Sequence, residues 1–172
     1  SHPCQILADL MTYQEEKGSI QGKKIAWIGD GCNVCQTYMQ AAEIFDFELS
    51  IATPAGYEPS EAFSQKYKKN INFFNNPMQA CQDADVVVTD VWTSMGQESE
   101  KKQRESSFKG FQVDQLMMNQ AKADAVFMHC LPAYRGIEVS SEVIDGSQSV
   151  VWSEAENRLH AQKSLLLYLI ED

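Results

Sequence analysis

Ala125-Val126-Phe127-Met128-His129-Cys130-Leu131-Pro132 is an apolar run that stops in a histidine, a cysteine and a proline. Residues 125–128 have the composition of a strand buried on both faces. Pro132 cannot donate to a continuing ladder, so the strand ends before it. His129 and Cys130 therefore belong at the carboxyl end of a strand, where open α/β sheets bind their ligands. A cysteine in such a place is by itself more often a small buried hydrophobe than a reactive group.

The flanking chain repeats the pattern. Lys24–Ile28, Phe47–Ala52, Ile71–Phe74 and Asp85–Asp90 read as further strands, with a last short one at Ser149–Val151. Between them lie helical patterns from Ile6 to Gly18, after Cys35 to Phe45, from about Pro59, over Pro77–Cys81 and over Val113–Ala121. Glu138–Gly146 reads as a turn or short helix. Ser153 and Glu156 form a capping box for a helix running to the end, with Leu159, Leu165, Leu166 and Leu169 as its apolar stripe. Strands alternating with helices predict an α/β fold: a Rossmann-like, doubly wound parallel sheet with helices on both faces. The organisation expected is a helix over 1–20, an α/β body over 21–152 and a C-terminal helix over 153–172, one domain overall. The helix opens within a few residues of Ser1, a start that predicts a fragment of a longer protein.

The 172 residues are enough to bury a real core. A formal net charge of −10 argues against a nucleic-acid surface. An anionic substrate would need local cations or helix N-termini rather than a general field. No segment has the apolar length to span a bilayer, and no signal-peptide pattern opens the chain, so no membrane role is expected. The five cysteines, an odd number scattered over different elements, read as reduced thiols of a cytoplasmic protein. The charged run from Gln97 to Lys109 reads as a solvated loop or exposed helix.

Three strand ends carry the unusual residues: Asp30 to Asn33, Asp90 to Gly96, and His129 to Pro132. In a doubly wound sheet all three lie on one edge and converge on one pocket. Asp90 would pair with an ammonium group, and Asn33 with a backbone amide near Met95 would hold a carboxylate. Gly29-Asp30-Gly31 gives part of a nucleotide-binding turn, but the third glycine position is Gln36. Cys32-x-x-Cys35 suggests a redox or metal pair only weakly, because two further ligands are missing nearby. No metal and no cofactor is expected. His160 reads as a surface residue, and Arg158 could simply complement Glu154 one turn away.

His2-Pro3-Cys4-Gln5, Asp90-x-Trp92-x-Ser94-Met95-Gly96, His129-Cys130-Leu131-Pro132 and Glu154-Ala155-Glu156-Asn157-Arg158 together resemble the ornithine carbamoyltransferase family. The resemblance covers the family's second, ornithine-binding half. The first domain, with its Ser-x-Arg-Thr loop for carbamoyl phosphate, has no counterpart in these residues. The resemblance implies transfer of a carbamoyl group from carbamoyl phosphate to L-ornithine, giving L-citrulline and phosphate, and a homotrimer or a multiple of it. It implies Asn33, Asp90, Ser94 and Met95 as the ornithine site. It implies Cys130, Arg158 and His2 as the catalytic groups, with Cys130 against the δ-amine as candidate proton acceptor. His2, Gln5, Cys130, Leu131 and Arg158 would contact the carbamoyl phosphate. Cys32 stands where some relatives carry Asn. The competing reading is a stand-alone Rossmann-like nucleotide-binding module using Gly29 to Gly31.

Overall fold

The computed structural model describes residues 1–93 and 100–171. Its five strands are β1 (Lys24–Ile28), β2 (Glu48–Ala52), β3 (Ile71–Phe74), β4 (Val86–Thr89) and β5 (Val126–His129). They form one all-parallel sheet in the order β3-β2-β1-β4-β5. The chain winds outward from β1 to β3, then returns to place β4 on the other side of β1. This reversal opens a crevice between the carboxyl ends of β1 and β4.

Period-two alternation explains why both faces are covered. Ile25 and Trp27 of β1, Val86 and Val88 of β4, and Val126 and Met128 of β5 pack into one core cluster. Helices α1 (Pro3–Lys17) and α2 (Asn33–Ile44) supply Ile6, Leu10, Tyr13, Tyr38 and Met39 to it. Ala26, Ile28, Val87 and Phe127 point the opposite way. There they meet residues of α4 (Pro77–Cys81), α6 (Gln115–Met118) and α7 (Ser141–Ile144). The short α3 (Glu61–Lys66) is capped by Ser60, whose side chain accepts the Phe63 amide. The set is completed by α5 (Lys101–Ser107) and the long α8 (Val151–Glu171). No helix among the described residues is long and apolar enough to cross a membrane.

Four local expectations are corrected. Ser149 makes one parallel bridge to Phe127 and no strand, because helix α8 begins two residues later. That helix starts at Val151, with Glu154 N–H already donating to the Val150 carbonyl at 2.9 Å, so Ser153 lies inside its first turn rather than capping it. The helix expected over Val113–Ala121 contracts to α6, because Asp114 caps it through the Met117 amide and Val113 bridges Val139 instead. Leu159, Leu166 and Leu169 of α8 are 67%, 59% and 63% exposed, since buried contacts along this helix end at Asn157.

Candidate active site

The register of β4 against β5 pairs Thr89 with His129, so Asp90 and Cys130 leave the sheet side by side. The Cys130 thiol donates to Asp90 Oδ1 at 3.1 Å, and the Val91 amide donates to the same oxygen at 2.7 Å. From the end of β1, the Cys32 thiol reaches Asp90 Oδ2 at 3.7 Å. Two thiols from separate strand ends thus bracket one carboxylate. Burial, and then the Asp90 charge, push both thiols up, Cys32 to about 12 and Cys130 further. Both are protonated donors at neutral pH.

His129, fully buried, shapes the rim rather than facing it. Its Nδ1 accepts the Leu131 amide at 2.9 Å, and its Nε2 lies 3.2 Å from Glu138 Oε1. This fixes the proton on Nε2. Leu131 takes a left-handed conformation with φ of 52°, which turns the chain sharply after Cys130. Asp90, His129 and Cys130 place ligand atoms within 4.8 Å of one another. Both ring nitrogens of His129 are already engaged, however, so only two groups remain for an ion. That is too few for a closed site.

On the far side of Cys130 stand the residues of α1 and α8. Arg158 Nη1 donates to Gln5 Oε1 at 2.5 Å, while Arg158 Nε is buried with no partner among the described residues. Glu154 is not its ion-pair partner: it accepts the His129 amide at 2.9 Å and the Gln5 side-chain amide at 2.9 Å. His2 precedes α1, its backbone N–H held by Thr37 Oγ1 at 2.7 Å. Burial and the Arg158 charge lower its pKa against an opposing pull from Asp90, which leaves the ring neutral. Asn33 is exposed at the first turn of α2, beside the Asp90 rim. Ser94 and Met95 lie outside the described residues.

The glycine turn after β1 is occupied by protein. Gly31 N–H donates to the Tyr57 carbonyl at 2.7 Å, and a Cβ at Gly31 would stand 2.3 Å from the Pro59 nitrogen. Gly29 N–H donates to the Ala52 carbonyl at 3.0 Å. These amides are not free to cradle a phosphate, which counts against a nucleotide module. Asp30 pairs instead with Arg104, whose Nη1 also donates to the Trp92 carbonyl at 3.0 Å. Its guanidinium lies 4.9 Å from the centre of the Tyr57 ring. The segment expected as a solvated loop or exposed helix forms the mostly exposed α5 but contributes one buried cation, Arg104, which anchors α5 to the rim. Together with Asp9 it is a residue that sequence patterns overlook, and Glu154, quoted within its motif, gets no role of its own from the sequence. Asp9 does give a signal, as a charge in the Ile6–Leu10–Tyr13 stripe of α1.

The family described as "Aspartate/ornithine carbamoyltransferase, Asp/Orn binding domain" matches residues 21–169. Ornithine carbamoyltransferase from Ruthia magnifica is 62% identical over 99% of this chain and 57% of its own length. That from Nitrosococcus oceani is 60% identical over 98% of this chain and 56% of its own. Among solved structures, ornithine carbamoyltransferase from Burkholderia thailandensis superposes with a TM-score of 0.89 at 48% identity, over 98% of this chain and 54% of that one. The enzyme from Pyrococcus furiosus gives 0.88 at 48% identity, over 96% and 55%. The chain spans about half the length of the relatives it matches.

Proposed function

The chain belongs to the aspartate/ornithine carbamoyltransferase family as its Asp/Orn-binding domain, and from that premise we propose that it is the ornithine-binding half of an ornithine carbamoyltransferase. The whole enzyme converts carbamoyl phosphate and L-ornithine to L-citrulline and phosphate. The observation that carries this reading is the Asp90 carboxylate, 8% exposed and held, among the described residues, by two thiols and one amide. Thiols are weak donors, so a substrate ammonium displaces them at little cost and gains a charge-assisted bond. Asn33, exposed at a helix N-terminus, would meet the α-carboxylate, with Ser94 and Met95 proposed for the same subsite.

The same arrangement supplies a route for the reacting amine. The Asp90 charge is one of the two main causes that hold the Cys130 proton. An α-ammonium against Asp90 cancels that charge, so the Cys130 thiol can give up its proton to solvent and the resulting thiolate accepts the proton that leaves the δ-nitrogen. Attack joins the δ-nitrogen to the carbamoyl carbon, and the carbon–oxygen bond to phosphate breaks. Arg158, whose Nε has no partner among the described residues, and His2 stabilise the oxyanion of the tetrahedral state. Gln5 and Leu131 complete the carbamoyl side. Holding both reactants in one crevice supplies much of the remaining rate.

Carbamoyl phosphate needs a cationic loop that this chain does not contain, so the 172 residues alone transfer no carbamoyl group. Joined to a family amino-terminal half, the chain produces citrulline from ornithine and carbamoyl phosphate. Citrulline from the isolated chain, or none from the joined enzyme, would refute the reading. We read the whole enzyme as a cytoplasmic homotrimer or a multiple of it. Five free cysteines support a reducing compartment, and sedimentation of the joined enzyme tests the assembly.

A further inference from the structure

Behind the pocket lies a buried polar chain that the reaction as described does not use. Asp9 is 2% exposed on the core face of α1, and Glu154 is 1% exposed in the first turn of α8. Glu154 Oε2 accepts the backbone N–H of His129 at 2.9 Å, in the Met128–His129 peptide one residue before Cys130. Its Oε1 accepts from Gln5 Nε2 at 2.9 Å. The same Gln5 nitrogen donates to Asp9 Oδ1 at 2.8 Å, and Asp9 Oδ2 accepts the Tyr38 hydroxyl at 2.6 Å.

These contacts determine how the Gln5 amide must lie. Both hydrogens of its nitrogen point at carboxyl oxygens, so its oxygen can only face Arg158, whose Nη1 donates to it at 2.5 Å. Turning the amide over would set its oxygen against two carboxyl groups and its nitrogen against a guanidinium. Arg158 is one helical turn from Glu154, yet it is held through Gln5 rather than by a direct ion pair.

We infer that Glu154 is a positioning residue for carbamoyl transfer: one carboxyl group sets the His129–Cys130 rim and, through Gln5, the Arg158 guanidinium. The inference rests on the chain being half of a carbamoyltransferase. It ties the two sides of the reaction, the thiol on β5 and the guanidinium on α8, to a single buried group. Burial, reinforced by the neighbouring Asp9 charge, keeps Glu154 protonated at neutral pH. Asp9 itself titrates near 6, so the two acids share one proton instead of repelling each other. The charged group facing this pair from α8 is Arg158, and Tyr38 faces it from α2.

The test uses the full-length enzyme carrying this chain. Glu154→Gln preserves volume and neutrality but replaces one acceptor oxygen with an NH₂ group, which must face either the His129 amide or Gln5. The expected result is a folded enzyme with kcat at least tenfold lower and the KM for carbamoyl phosphate raised. The KM for ornithine stays within about twofold, because among the described residues Glu154 bonds to His129 and Gln5 and to no residue of the ornithine site. Glu154→Asp retains the acid but is one methylene too short to reach both partners, and it shows the same split. Folded variants with parental kcat and KM values would overturn the inference, as would failure of both to fold, which would make Glu154 a structural residue only. An unmodified enzyme that forms no citrulline would instead overturn the proposed function and the inference with it.

Discussion

Cys130 donates its thiol proton to Asp90 across 3.1 Å, from the end of one parallel strand to the end of the next. The geometry follows from strand register: Thr89 pairs with His129, and the next residue of each strand steps off the sheet at the same level. Cys32 closes the other side of the carboxylate from β1. The switch point of the sheet is therefore centred on a carboxylate whose partners among the described residues are all weak or neutral donors.

Removing that charge tests its role in binding. Asp90→Asn in the full-length enzyme keeps the fold, since the Val91 amide still finds an oxygen, and loses the partner of the substrate ammonium. A hydrogen bond to a charged group contributes about 2 kcal/mol, so the KM for ornithine rises about thirtyfold. Steady-state kinetics check this. An unchanged ornithine KM would remove Asp90 from the binding site.

Arg104 carries a structural prediction. It is 6% exposed, pairs with Asp30 and Glu100, and packs against Tyr57. Arg104→Ala leaves the mostly buried Asp30 carboxylate without its cation, a change that costs about 3 kcal/mol. Urea unfolding of the chain should show the midpoint falling accordingly. A midpoint within experimental error of the parent's would mean that the pair adds nothing to the fold.

The site is only partly legible in the sequence, and the boundary has a physical cause. Asp90 and Cys130 could be placed together because each ends a continuous apolar run, and parallel strands bring such ends to one edge. Cys32 followed from the same rule at β1. The burial and partners of Arg104, Asp9 and Glu154 could not be read in this way, because charged residues are normally solvated and only tertiary closure buries them. Arg104 sits in a run of lysines, glutamates and serines whose pattern is that of an exposed helix, and nothing local distinguishes it. Helix α8 starts at Val151, two residues before the Ser153 that the sequence pattern points to, for a related reason. Ser153 and Glu156 match a capping box, but packing of Val151 into the core carries the helix past them. The last turns of α8 illustrate the converse. Their leucines have helical spacing, yet the described residues offer them no core.

The Asp9 carboxyl gives a pH signature with a definite sign. Burial raises it from the ordinary carboxylate range to about 6. A group with a raised folded-state value contributes its stability in full below the unfolded value near 4, and loses it as the pH rises through the folded value. The parent chain therefore loses up to about 3 kcal/mol between pH 4 and pH 7 relative to Asp9→Asn, which lacks this titration. Thermal unfolding of both proteins across that range measures the difference. A gap that widens in favour of the parent as pH rises would reverse the assignment.

The most direct test of the central claim is kcat/KM for ornithine against putrescine in the full-length enzyme carrying this chain. Both offer a primary amine at a similar reach, but only ornithine brings the α-ammonium for Asp90 and the α-carboxylate for the Asn33 side. Unpaired buried groups cost about 1–3 kcal/mol each, so ornithine should be favoured by about a hundredfold or more. Putrescine carbamoylated as efficiently as ornithine would contradict the account.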